Sequence, residues 1–148
     1  LKCCWIDPGD TDGLELPTYE TEQSAGMDIR LAIHDDVTLQ PGDIELLPTN
    51  LSFSIPDGFE IQVRPRSGMA VKHGITLINS PGTIDADYRG EVKIGLINHG
   101  KLPYTFKRGD RAAQLIFAPV VKARLELVTH LDETKRGTGG FGHTGVSS

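Results

Sequence analysis

No apolar run in this 148-residue chain approaches the roughly 20 residues that a helix needs to cross a bilayer, so a membrane span is not expected. Cysteine is scarce. Cys3 and Cys4 stand side by side with no third to pair with. Adjacent cysteines do not make a C-x-x-C redox or zinc pair, and no other cysteine offers an intrachain bridge. Two reduced thiols in a reducing, cytoplasmic compartment are the expectation, buried as small apolar side chains. Basic residues are outnumbered, 15 Lys and Arg against 20 Asp and Glu, for a net charge of -5. That balance argues against a broad nucleic-acid face. It leaves room for a small anionic ligand where a few arginines converge. His34, His73, His99, His130 and His143 lie in separate segments, none at metal-ligand spacing. There is no G-x-S-x-G elbow, no Walker loop and no zinc-deaminase signature. Asp7, Asp10 and Asp12 near the start argue against a secretory signal.

What is present is period-2 alternation in a chain sized for one domain. Met27, Ile29, Leu31 and Ile33 share one parity, as do Leu51, Phe53 and Ile55. Phe59, Ile61 and Val63 do the same, then Val92, Ile94 and Leu96, then Leu125 and Leu127 around Glu126. Each run reads as a half-buried strand. Turn signals separate them: Gln40-Pro41-Gly42-Asp43, Pro56-Asp57-Gly58, Asn98-His99-Gly100 and Arg108-Gly109-Asp110. Short strands spaced in this way predict an all-β sandwich, jelly roll or barrel. After about Leu131 the alternation stops, so residues 1–131 are expected to form the β body and 132–148 an arm.

Pro65 to Gly74 breaks the alternation and reads as one short helix. Ser67 is the expected cap at its start and Gly74 the stop, with Lys72 and His73 suited to the negative end of its dipole. A helix start beside an arginine can hold phosphate through Arg66, Ser67 and Gly68. Taken alone, an ordinary cap with a surface arginine is the better explanation of the segment, because such caps are common. Asn79 through Gly90 follows an apolar run with a Pro81-Gly82 bend, which suggests a hairpin. Its backbone and the Asn79 amide offer donors and acceptors for a base edge. Asp85 is placed to act as a general base and Tyr88 to pack on a sugar. Asp87 reads as a solvated turn residue. Arg111 and Gln114 enter an otherwise apolar strand. Arg111 is expected to pair with an acid such as Asp28, and Gln114 to pair or to face a ligand.

The last residues, KRGTGGFGHTGVSS, surround Phe141 with glycine. Glycine weakens any helix or strand that contains it. The segment reads either as a disordered terminus or as an arm that orders over a ligand, with Arg136 and Phe141 as contacts.

Together these pieces resemble, in order, the five motifs of the trimeric dUTP nucleotidohydrolases, the dUTPases. They are Ala25–Asp28, Pro65–Ala70, Asn79–Gly90 with its G-x-I-D-x-D-Y-x-G core, Gly109–Phe117 and Arg136–Gly145. Any one motif is weak; five in order span most of the chain. The resemblance implies a jelly-roll-like β-barrel and a homotrimer with shared active sites. It implies hydrolysis of dUTP to dUMP and pyrophosphate with Mg²⁺, which keeps uracil out of DNA and supplies dUMP for thymidylate synthesis. It gives Asp85 the activation of water and a contact to the sugar 3′-OH. Tyr88 packs on the deoxyribose and leaves no room for a 2′-OH. Asn79, Thr83 and Ile84 read uracil, and Lys93 lines the substrate. Arg66, Ser67, Gly68 and Gln114 hold phosphates. Asp28 positions the metal through water or supports the phosphate-binding arginine. Phe141 stacks on uracil while Arg136, Gly142 and His143 wrap the terminal phosphates. His143 stands where the family commonly has serine, and Met27 replaces a frequent aromatic. A dCTP deaminase on the same fold and a non-catalytic trimeric module are the competing readings. Asp85, Tyr88 and the Phe141 tail favour the dUTPase.

Overall fold

The computed structural model describes residues 1–141. Within them the chain is almost entirely β, with one short helix. The strands in order are β1 (Lys2–Trp5), β2 (Thr18–Tyr19), β3 (Met27–Arg30), β4 (Val37–Leu39), β5 (Ile44–Pro48), β6 (Leu51–Ser54) and β7 (Phe59–Arg64). The helix α1 (Ser67–His73) comes next. Then follow β8 (Ile75–Leu77), β9 (Gly82–Ile84), β10 (Lys93–Asn98), β11 (Tyr104–Phe106) and β12 (Arg111–Pro119). They form four antiparallel sheets, ordered β2-β3-β12-β7-β9, β5-β10-β8, β1-β6 and β11-β4. Among the described residues no sheet closes on itself, so the expected barrel is corrected to open sheets packed in the manner of a jelly roll.

The alternating residues face one core. Ile29, Leu31, Leu39, Ile61, Ile94, Leu96, Phe106 and Leu115 are wholly buried. Each such aliphatic side chain contributes about 1.5–3 kcal/mol through the water it sheds. The turn signals hold. Asp43 N–H bonds Gln40 O at 3.0 Å and Asp110 N–H bonds Lys107 O at 3.1 Å. Gly42, Gly58 and Gly109 all adopt positive φ in these bends. Asn98, fully buried, ties three segments together. Its Nδ2 donates to Leu39 O at 2.9 Å and Leu102 O at 2.8 Å, and its Oδ1 accepts from Gly100 N–H at 2.8 Å.

Three local expectations need correction. Ser67 is the first residue of α1, and the capping position is Arg66 in extended conformation, with no side-chain cap bond. The following stop is as read, with Gly74 at φ 70° and its N–H on Ala70 O at 2.9 Å. Pro81-Gly82 does not make a hairpin, because β8 pairs with β10 while β9 pairs with β7. The bend carries the chain from one sheet to the other. Finally, Leu125 and Leu127 form no strand, and the last strand ends at Pro119. Their side chains are 93% and 100% exposed. A strand needs an edge to pair with, and no strand of the described residues accepts this segment.

Candidate active site

The predicted site residues of the β body gather in two cavities. The first, about 320 Å³, is lined by Asn79, Thr83, Ile84, Asp85, Tyr88 and Lys93. The residues assigned to base, sugar and water are therefore brought together, with the exception of Phe141. The sheet crossing explains how. β9 lies along β7 with Gly82 opposite Val63, which puts Thr83 to Asp85 at the edge of the five-stranded sheet. Gly95 of β10 lies on the opposite wall. Gly82 leaves Asn79 space, since a Cβ there would stand a tight 3.2 Å from its Nδ2. Tyr88 Oη donates to Glu91 O at 2.9 Å, which holds the ring along the following backbone. The Asp85 carboxylate enters no salt bridge among the described residues and remains exposed. Lys93 Nζ lies 3.8 Å from Glu91 Oε2. Sequence reasoning missed the apolar floor, Leu46, Leu77 and Val92, because the register that aligns them is set between distant strands.

The second cavity, about 440 Å³, is lined by Asp28, Arg66, Ser67, Gly68 and Gln114, together with Lys72, His73 and Tyr104. Its electrostatics centre on one acid. Asp28 Oδ1 accepts from Arg66 Nε at 3.2 Å and Oδ2 from Arg111 Nη1 at 3.1 Å. Arg111 also reaches Glu20 Oε1 at 3.1 Å. β12 and β3 pair with Gln114 opposite Asp28, which sets the acid beside both arginines. Of the two roles expected for Asp28, support of the arginine is the one seen in its contacts. Gln114 Nε2 donates to Pro65 O at 3.0 Å, leaving its Oε1 toward Gly26, where a Cβ would collide with it. Lys72 and His73 were expected only as charges complementing the helix end. The ring of His73 packs on that of Tyr104, centroids 4.9 Å apart, and both border the anion cavity.

Arg136 and Phe141 line neither cavity. Arg136 Nε donates to Gly139 O at 2.8 Å within its own turn, and Phe141 is fully exposed. Gly142 and His143 lie outside the described residues. The described residues hold no cluster of three or more His, Cys, Asp or Glu able to cage a metal ion.

One cavity thus has the mixed polar and apolar lining that suits a base and sugar, and the other the cationic lining that suits an anion. The pair has what a nucleotide-binding protein requires. Comparison with known proteins defines which one. A dUTPase family model matches residues 12–145. Deoxyuridine 5'-triphosphate nucleotidohydrolase of Desulfotalea psychrophila is 58% identical over 146 residues, covering 99% of this chain and 97% of that protein. The protein of the same name from Maricaulis maris is 57% identical over 91% of this chain and 90% of its own length. Among solved structures, a variant of the dUTPase of Staphylococcus bacteriophage 80alpha with dUpNHpp superposes at a TM-score of 0.85. It is 24% identical, with 98% of each chain covered, and so speaks to the fold. A dUTPase variant from phage phi11 of S. aureus, described with a structural Mg(II) ion, gives a TM-score of 0.75 over 87% of this chain and 96% of its own. The chain belongs to the dUTPase family.

Proposed function

We propose that this protein hydrolyses dUTP to dUMP and pyrophosphate. The observation that carries the reading is the convergence of Asn79, Asp85 and Tyr88 on a single cavity. It occurs in a chain 58% identical to a deoxyuridine 5'-triphosphate nucleotidohydrolase. Uracil lies against the Thr83–Ile84 backbone and the Asn79 amide. A base-reading site of this kind leaves buried groups unpaired when cytosine enters, which is heavily penalised. The Tyr88 ring packs on deoxyribose and takes the space of a 2′-OH. Asp85 accepts the proton of the attacking water as its oxygen joins phosphorus, and pyrophosphate departs with the electrons of the broken P–O bond. Catalysis of this type rests on positioning and charge neutralisation rather than on covalent chemistry. Arg66, Ser67, Gly68 and Gln114 position the phosphates. Asp28 keeps the Arg66 guanidinium oriented.

A magnesium ion fits this donor set only as a cation carried mainly by the triphosphate. Both Asp28 oxygens already accept from arginines, and no carboxylate cage is present among the described residues. Asp28 then reaches the ion through water, in keeping with the reluctance of Mg²⁺ to shed its hydration shell. When bound, Mg²⁺ neutralises phosphate charge as a Lewis acid.

The assembly proposed is a homotrimer whose sites are shared. The base cavity and the phosphate cavity of one chain have no lining residue in common, which supports completing each site from more than one subunit. Val121, Leu125, Leu127 and Leu131 are 84–100% exposed in the single chain, as befits a segment that pairs with a neighbour. Residues 132–148 then close over the nucleotide, with Phe141 on uracil and Arg136, Gly142 and His143 about the terminal phosphates. Closure excludes water and completes the site. Cys3 and Cys4 are exposed rather than buried as expected, because both lie on the two-stranded β1-β6 sheet; as free thiols they accord with a cytoplasmic location. No helix among the described residues is long and apolar enough to cross a membrane.

The test is pyrophosphate release from dUTP, dCTP, dTTP and UTP, with and without Mg²⁺. The expected result is Mg²⁺-dependent turnover of dUTP alone. Comparable turnover of dCTP would sink the base-reading argument, and ammonia release from dCTP would place the protein among the deaminases.

A further inference from the structure

Tyr88 is a large ring on an irregular loop, 46% exposed, yet its proposed task demands a fixed orientation. Three observations show what fixes it. Tyr88 N–H bonds Asp85 O at 3.1 Å, closing a turn that presents the side chain. Tyr88 Oη donates to Glu91 O at 2.9 Å, so the ring folds back over its own C-terminal neighbours. Beneath it lies Gly90. A Cβ there would stand 2.5 Å from Tyr88 Oη, 2.6 Å from Cζ and 3.0 Å from Cε2. The three nearest atoms all belong to that one ring. The ring therefore occupies the volume that any side chain at position 90 would fill.

The backbone under the ring has no freedom to yield. Ser52 Oγ donates to Arg89 O at 2.7 Å, and Val92 N–H bonds Leu51 O at 2.8 Å, so both flanks of Gly90 are tied to β6. Asn50 N–H adds a bond to Glu91 Oε1 at 2.9 Å. Arg89 Nη1 donates to Ala86 O at 2.6 Å and Tyr88 O at 2.9 Å, bracing the turn from outside. Gly90 itself does not adopt positive φ, so its backbone suits an L-residue. The atoms nearest to a side chain at this position are those of the Tyr88 side chain.

We infer that Gly90 is a positioning residue for sugar selectivity: its lack of a side chain, with the Glu91 carbonyl, seats the Tyr88 ring where it discriminates deoxyribose from ribose. The inference rests on the reading of this cavity as the nucleoside site. Adding a methyl at position 90 lifts the ring off its seat and breaks its bond to Glu91 O, since the rigid ring moves as one body. The sugar gate then opens while Asn79 and Asp85 keep their places.

The experiment compares kcat/KM for dUTP and UTP in the wild type, Gly90→Ala, Tyr88→Ala and the Gly90→Ala/Tyr88→Ala double variant, with Tm recorded for each. In the wild type, failure to hydrolyse dUTP or to discriminate against UTP would overturn the site reading itself. Given a discriminating wild type, Gly90→Ala is expected to lower the dUTP/UTP ratio about tenfold or more, the scale of one lost packing contact in a specificity pocket. In the Tyr88→Ala background the same change is expected to leave the ratio unaltered, because the effect passes through the ring. An undiminished ratio in Gly90→Ala, or an additive further loss in the double variant, overturns the inference. Should Gly90→Ala fold poorly, removing the ring is expected to restore Tm in the double variant; no restoration equally overturns it.

Discussion

The Asp85 carboxylate sits at the mouth of the base cavity without a salt-bridge partner among the described residues. That suits a group required to accept a proton. The contrast is Asp28, whose two oxygens are committed to Arg66 and Arg111. The two aspartates thus differ in environment, Asp28 paired with two arginines and Asp85 without a salt bridge among the described residues, which supports the proposed division into brace and base. Asp85→Asn preserves shape and removes the acceptor. Turnover of dUTP is expected to fall by roughly 10² or more, the scale of general-base loss. Binding of a non-hydrolysable dUTP analogue, measured by calorimetry, should persist. Near-normal turnover would assign the water to another residue.

Among the strands, β10 is central. It pairs with β5 on one side and β8 on the other, and its last residue, Asn98, reaches across to β4. Replacing Asn98 by Ala removes three hydrogen bonds and leaves buried Leu39 O without its donor. A loss of about 3 kcal/mol is expected, at the upper end for orphaned buried polar groups, and urea unfolding would measure it. A loss of only a few tenths would mean that water takes over the bonds. The arm behaves oppositely. Deleting residues 136–148 is expected to leave the core intact, because among the described residues the buried set ends at Leu115. The Tm of the unliganded protein should therefore stay almost unchanged while activity drops severely. A truncated protein with full activity would return the glycine-rich end to the role of a disordered terminus.

At the level of the assembly, the question is whose site the arm closes. Two inactive proteins answer it: Asp85→Asn with an intact arm, and an arm-deleted chain with intact Asp85. If the proposed homotrimer holds, unfolding and refolding them together gives mixed trimers. If the arm acts across subunits, some sites combine a working Asp85 with a working Phe141 and activity returns. If each arm serves its own chain, the mixture stays as inactive as its parts. Mixing without refolding is the control, since recovery requires exchange of subunits. No recovery, with mixed trimers verified by mass, rules out the shared site and leaves the dUTPase chemistry standing.

How much of this was readable in advance depends on the distance over which each feature is decided. The turns at Gly42, Gly58 and Gly109, the Gly74 stop and the apolar parity of Ile29, Ile61 and Ile94 are set by near neighbours in the chain. All of them appear as read. The candidate site residues could be named from the sequence for the same reason, since each motif is a short contiguous stretch, and those of the β body line two cavities. Local signals failed wherever a distant partner decided the outcome. Ser52 looked like a solvent-facing member of an alternating strand, yet it is buried because Arg89 O lies over it. Pro81-Gly82 looked like a hairpin tip, but β7 and β10 compete for the flanking strands and each takes one. Leu125 and Leu127 carry strand periodicity with no edge in the described chain to pair with. Periodicity tells a segment which face is apolar. Only the packed structure supplies the surface that buries that face, because burial and hydrogen bonding belong to pairs of segments rather than to one.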